Sequence, residues 1–339
     1  MNLKLVLKRG ALVAAANWPT IVIQFAAETT FQALLAVPII GAAILVTVLL
    51  GADLADLLRG SIREMFTTIA STLMSEPVAL VAFIVAFALV LFGGSVLMFA
   101  VKGGTVDVLI AANESTGPIE RAALRFETIR DASRFTLERY VAGCARLFRP
   151  YFALGIVLMV AYGISVGAYI AFVVYGYRAA EGRLLVIGWT FIAAVAAMAL
   201  TVWITIINLI YLLLQITMAM EHVGLADAWR PAWRFARAEF RELVGVFLVV
   251  FGLVVAATLA SALAWSGVGL IAFVPLVGLA VFPLQLAALL VRGLVFEYLG
   301  LTALGAYLTL YQRYVTRRAT VAESSASTPG LDSATARPA

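Results

Sequence analysis

The chain has 339 residues, of which 63% are hydrophobic and 13% charged, with a formal net charge of +5. That balance excludes an ordinary globular domain and a disordered chain alike. One cysteine, Cys144, and one histidine, His222, exclude an intramolecular disulfide and a Cys/His zinc site.

The N-terminus opens like a signal peptide, with Lys4, Lys8 and Arg9 before an apolar stretch. Asn17, Trp18 and Pro19 interrupt that stretch and more apolar sequence follows, so it reads as a retained membrane segment. Residues 10–27 fit an interfacial helix, a re-entrant segment or a short extra span. Crossing a hydrocarbon core takes roughly 20 apolar residues as a helix. Uncharged runs place the spans at 31–52 (with Pro38 as a kink), 77–101 (closed by Lys102), 151–176, within 184–220, 243–265 (ended by Ser266-Gly267-Val268-Gly269) and within 270–312. The runs between Arg183 and Glu221 and between Glu242 and Arg292 hold 37 and 49 uncharged residues. The predicted fold is an all-α integral membrane protein, a bundle of about six transmembrane helices with amphipathic interfacial helices. Residues 1–318 form one membrane domain, and the Ser/Thr/Ala/Pro-rich stretch 319–339 reads as a disordered tail.

With six spans and a cytoplasmic N-terminus, 19 of the 24 Lys and Arg residues fall on the cytoplasmic side. Arg59, Arg63, Arg178 and Arg183 fall outside, and Arg292 lies in a span. The positive-inside rule then puts both termini in the cytoplasm. A seventh span near 266–291 would move Arg313, Arg317 and Arg318 outside, against that rule. The net charge marks loops beside anionic lipid, and no nucleic-acid partner is expected.

The approach to the third span reads Asp131-Ala132-Ser133-Arg134, then Phe148-Arg149; that to the fifth reads Asp227-Ala228-Trp229-Arg230, then Phe240-Arg241. A surface helix followed by two spans thus recurs, giving units at about 1–115, 116–224 and 225–318. Ala228-Trp229-Arg230, with Phe240-Arg241 leading into a span, resembles bacterial six-span inner-membrane proteins. These include the membrane domain fused to some glycerophosphodiester phosphodiesterases. The likeness covers roughly 225–315 and more faintly 130–160, and it implies a membrane unit connected with the envelope. The phosphodiesterase catalytic domain is absent, so the resemblance carries over no hydrolase activity and no catalytic residue.

Residues 118–149 read as one amphipathic helix starting at Pro118. Arg121, Arg125, Arg130, Arg134, Arg139, Arg146 and Arg149 surround an apolar stripe, and Arg134 and Glu138 are spaced to pair. Residues 227–242 set Trp229 and Trp233 four apart among Arg230, Arg234, Arg237 and Arg241. Both suit the headgroup boundary, with guanidinium groups toward phosphates. They are read as depth anchors, or as contacts to anionic lipid or an acidic partner.

Ionisable residues inside a membrane are functional candidates by default. The intramembrane set is Arg292, Glu297, Glu28 and Asn208, with Glu28 as a partner for Arg292. Asn208, Gln215, Gln24 and Gln32 suit hydrogen bonds to neighbouring helices. Gly163 and Gly167, and the four-residue repeat from Gly252 to Ala264, permit close helix approach. Lys102-Gly103-Gly104-Thr105 lacks phosphate-loop spacing, and Asn113-Glu114-Ser115 is a sequon on the cytoplasmic side. No catalytic, cofactor or metal constellation is visible. The leading expectation is a non-enzymatic scaffold or subunit organising lipids or a larger complex, alone or as a homo-oligomer. A transporter with a polar site around Arg292 and Glu297 is the alternative. A lipid-modifying enzyme comes last, its external acidic group being Asp53, Asp56, Glu64 and Glu76.

Overall fold

The computed structural model describes residues 3–50, 74–121, 126–180, 183–272 and 277–326. Asp53, Asp56, Arg59, Arg63, Glu64 and Arg125, and the tail beyond 326, lie outside the described residues. Those described form nine helices: α1 Leu3–Ala16, α2 Trp18–Leu50, α3 Pro77–Ser115, α4 Phe126–Asp131, α5 Leu137–Ala179, α6 Arg183–Glu221, α7 Leu225–Ala238, α8 Phe240–Ala272 and α9 Val277–Ala326. Six of them are long and apolar enough to cross a membrane. Among the described helices the order short, long, long occurs three times. This is the all-α membrane fold that composition predicts.

The boundaries differ from the sequence reading, for physical reasons. Glu28-Thr29-Thr30 does not delay the first span, because α2 runs through it unbroken from Trp18. The break falls at Asn17 instead. Asn17 is fully buried, and its Nδ2 donates to the Val13 carbonyl at 2.9 Å, drawing the side chain back onto the last turn of α1. Ser266 to Gly269 do not end α8, which continues to Ala272. In lipid no water competes for the backbone, so glycine breaks a helix less readily and internal proline is tolerated. Pro38, Pro150 and Pro283 accordingly sit inside α2, α5 and α9. α9 extends helically to Ala326, past the expected start of the tail at 319.

Residues 118–149 are not one helix. Pro118 opens a turn, α4 is six residues long, Ala132 turns the chain and 133–136 are non-helical, with Thr136 extended, before α5. Thr136 caps α5 by accepting the Arg139 N–H at 3.2 Å, and the Arg134 N–H goes to Asn17 Oδ1 at 2.9 Å. Local capping and a long-range amide therefore override the amphipathic pattern. Arg134 sits in the break, so the i,i+4 pairing with Glu138 does not exist.

The long helices form three hairpins, α2–α3, α5–α6 and α8–α9. The arms of a hairpin touch each other, as where Ala42 meets Phe83 and the Phe172 and Trp189 rings lie 4.8 Å apart. Different hairpins meet at the end that carries α1, α4 and α7. There Val13, Leu109, Tyr151, Ile216, Phe235 and Tyr311 fill one core. Two backbone crossings set its spacing. A Cβ on Gly10 would lie 2.5 Å from the Thr302 carbonyl of α9, and one on Gly104 would lie 2.7 Å from the Tyr140 carbonyl of α5. Gly163, Gly167 and Gly252 have nothing within 4 Å, so these small residues face outward rather than into a crossing.

Candidate functional site

Two polar centres lie where the hairpins meet. The first brings Glu28 and Gln24 of α2, Lys102 of α3 and Glu297 of α9 together. The Glu297 carboxyl lies beside Glu28 and Gln24, and Lys102 lies in electrostatic contact with both carboxyl groups. The cluster thus sets two acidic side chains against one basic one in the packed end of the spans. Lys102 Nζ also lies 5.3 Å from the Tyr211 ring centroid, tying in α6. Gln32 Nε2 donates to Glu28 Oε1 at 3.2 Å within α2, not to another helix.

Arg292 is outside this centre. It is exposed, with its guanidinium 5.6 Å over the Phe296 ring. The five-residue spacing to Glu297 turns the two side chains apart on the helix, and Glu28 partners Glu297 rather than Arg292. Asn208 is also elsewhere, accepting from the Tyr162 hydroxyl across the α5–α6 hairpin. Gln215 is buried, but its Nε2 has no partner among the described residues; its backbone carbonyl accepts from Tyr151 at 3.0 Å. Lys102 was missed because it was taken as the end of a span. The visible signal was the apolar pattern that continues beyond it to Ala112.

The second centre surrounds Arg9 of α1. Its Nε donates to Asn113 Oδ1 at 2.7 Å. Nη1 reaches the Gly117 carbonyl at 3.0 Å and Glu120 Oε2 at 2.9 Å, and Nη2 reaches the Asn113 and Thr116 carbonyls. All five guanidinium protons have acceptors. Lys8 Nζ adds a bond to the Glu120 carbonyl at 2.8 Å. Asn113 Nδ2 in turn donates to Gln312 of α9, and Thr309 Oγ1 donates to Asn113 Oδ1 at 3.2 Å. The sequon asparagine is therefore a buried bridge between α1, α3 and α9. Its tripeptide gave no hint of that.

The interfacial arginines divide by what they touch. Arg134 Nε donates to Ser115 Oγ at 2.7 Å, and Arg146 pairs with Asp107 of α3, so both hold protein to protein. Arg121, Arg149, Arg230, Arg234 and Arg237 are exposed, as are Trp229 and Trp233. Arg237 lies 4.8 Å over the Trp233 ring. α7 turns Ala228, Ala232 and Phe235 to the core and its arginines away from it, the arrangement of a helix lying in a membrane boundary.

Fold and polar centres together define a multi-pass all-α membrane protein, with six candidate spans among the described residues that pack at one end with the short helices α1, α4 and α7. Comparison with known protein families, with curated proteins and with solved structures finds no match.

Proposed function

We propose that this protein is a non-enzymatic scaffold of the bacterial cytoplasmic membrane, organising lipids or the subunits of a larger membrane complex, with both termini cytoplasmic. One observation carries the reading. None of the most apolar stretch of α5 or of α6 is buried inside the protein. These hairpins present long apolar faces to whatever surrounds them, lipid or other membrane helices. At the packed end the Arg9 guanidinium spends all five of its protons on neighbouring protein groups. The basic interfacial segments share the packed end, which supports the cytoplasmic orientation of that end.

Native mass spectrometry of the chain extracted with its lipids tests the role. A stoichiometric membrane subunit or a defined set of lipids supports the scaffold; a retained small solute with neither overturns it. Cys144 tests orientation: an impermeant maleimide should label it in inverted vesicles and not in spheroplasts.

A transporter is the second reading, and the Glu28–Glu297–Lys102 centre favours it, since ionisable clusters between spans mark ion and substrate paths in transporters. Solute uptake into proteoliposomes that Glu297→Gln or Lys102→Gln abolishes would establish it. Uptake indifferent to both changes removes it.

A further inference from the structure

We infer that the groove beneath α7 is a binding site for one anionic phospholipid, with an acyl chain between α6 and α8 and the headgroup at the arginines of α7. This rests on the lipid-organising reading and names its ligand and its site.

The groove is about 710 Å³ in volume. Leu209 and Leu213 of α6, Trp233 and Ala236 of α7, and Val244 and Phe247 of α8 form its walls. Among the described residues lining it only two are polar, Thr205 at its deep end and Arg237 at its mouth. Along α6 it runs from Leu214 to Thr205, which is about 14 Å of helix rise. Half of a hydrocarbon core is about 15 Å. The groove therefore spans one leaflet, starts beside the interfacial helix and stays within the two spanning helices, where an acyl chain is the available occupant.

Charge sets the headgroup. Arg230, Arg234, Arg237 and Arg241 are all exposed along α7 and the first turn of α8. Among the described residues no carboxylate pairs with any of the four. Nearby, Glu239 is engaged by Arg317 at 2.9 Å, leaving Asp227 and Glu242 as the neighbouring acids. The Trp233 ring holds the Arg237 guanidinium at the mouth. A planar guanidinium there offers paired N–H donors to a phosphate. Phosphate chemistry and an apolar slot one leaflet deep, side by side, describe a phospholipid rather than a soluble anion.

The test uses the full chain in mild detergent with an equimolar mixture of phosphatidylglycerol and phosphatidylcholine of identical chains, read by native mass spectrometry. One lipid should be retained per chain, phosphatidylglycerol in excess. Arg237→Gln, at an exposed position, should lower that preference about fivefold. Ala236→Trp should fill the slot and remove retention of both lipids while the thermal midpoint stays unchanged. Equal retention of the two lipids by the parent chain, or a preference that Arg237→Gln leaves intact, overturns the inference. So does a second copy of the chain or another subunit seated there in place of lipid. If Ala236→Trp does not fold, the ratio measured with Arg237→Gln still decides. A chain that holds no lipid in the groove yet copurifies with a membrane subunit sinks this site and leaves the scaffold standing; a chain with neither sinks both.

Discussion

The two ends of the molecule are built from similar side chains and pack differently. At the collar, formed by α1, α4, α7 and the adjoining turns of the long helices, Tyr151 and Tyr311 are fully buried and the helices cross at glycine. At the far end Val78 and Leu263 remain 83% and 73% exposed. The difference is one of solvent. Lipid tails are as apolar as leucine, so bringing two apolar faces together in the bilayer gains little. At the boundary, where water and headgroups begin, burial and buried polar networks hold helices together. The collar is therefore where this protein is assembled, and the spans are what it displays.

The sharpest way to break that contrast is at Arg9. Its side chain is 12% exposed and that of Glu120 is 5% exposed, so Arg9→Ala leaves a buried carboxylate and three backbone carbonyls unanswered. The expected loss is about 3–5 kcal/mol. Arg178→Ala, an exposed arginine near the far end of α5, should stay within about 0.5 kcal/mol of the parent. Unfolding in mixed micelles measures both. Similar losses at the two sites would remove the distinction between assembly end and display end.

Glycines sharpen the same contrast with less energy. A methyl group on Gly10 meets backbone, the Thr302 carbonyl at 2.5 Å and the Ala306 nitrogen at 2.7 Å, and neither rotates away. Gly10→Ala should cost about 1–3 kcal/mol through forced separation of α1 and α9. Gly163→Ala adds its methyl to open space, so it should be neutral or slightly stabilising, since alanine is the better helix former. A thermal midpoint that falls equally in both would mean that the Gly163 face is covered in the assembled protein.

The spans were legible because lipid enforces a crude rule, about 20 predominantly apolar residues with few charges, and six of the described helices meet it. The collar was not legible, because its signals are long-range. Asn17 was visible as an interruption, yet its task is to receive the N–H of Arg134, 117 residues away. Asn113 looked like a sequon, and its partners Arg9, Thr309 and Gln312 come from both ends of the chain. Glu297 and Glu28 were picked out by their cost in a membrane. Their proximity was missed because a search for opposite charges does not look for two carboxyl groups side by side with a lysine nearby. Arg292 failed for the opposite reason: the same cost argument selected it, but an exposed arginine stacked on Phe296 meets that cost without a buried partner.

The smallest expected effect tests the display end itself. The Tyr162 hydroxyl donates to Asn208 Oδ1 well along the α5–α6 hairpin, away from the collar. Taken as a bond in pure hydrocarbon it should be worth several kcal/mol, because an unpaired amide there has no water to turn to. The unfolded chain in a membrane also finds polar partners, however, and interhelical bonds in bilayers average about 0.6 kcal/mol. A double-mutant cycle with Tyr162→Phe and Asn208→Ala should therefore give a coupling near that figure. A coupling above about 2 kcal/mol exceeds the range of such bonds. It would mean that the hairpin arms are locked together as firmly as the collar, and the open display of their apolar faces would then be a rigid surface rather than a loose pair.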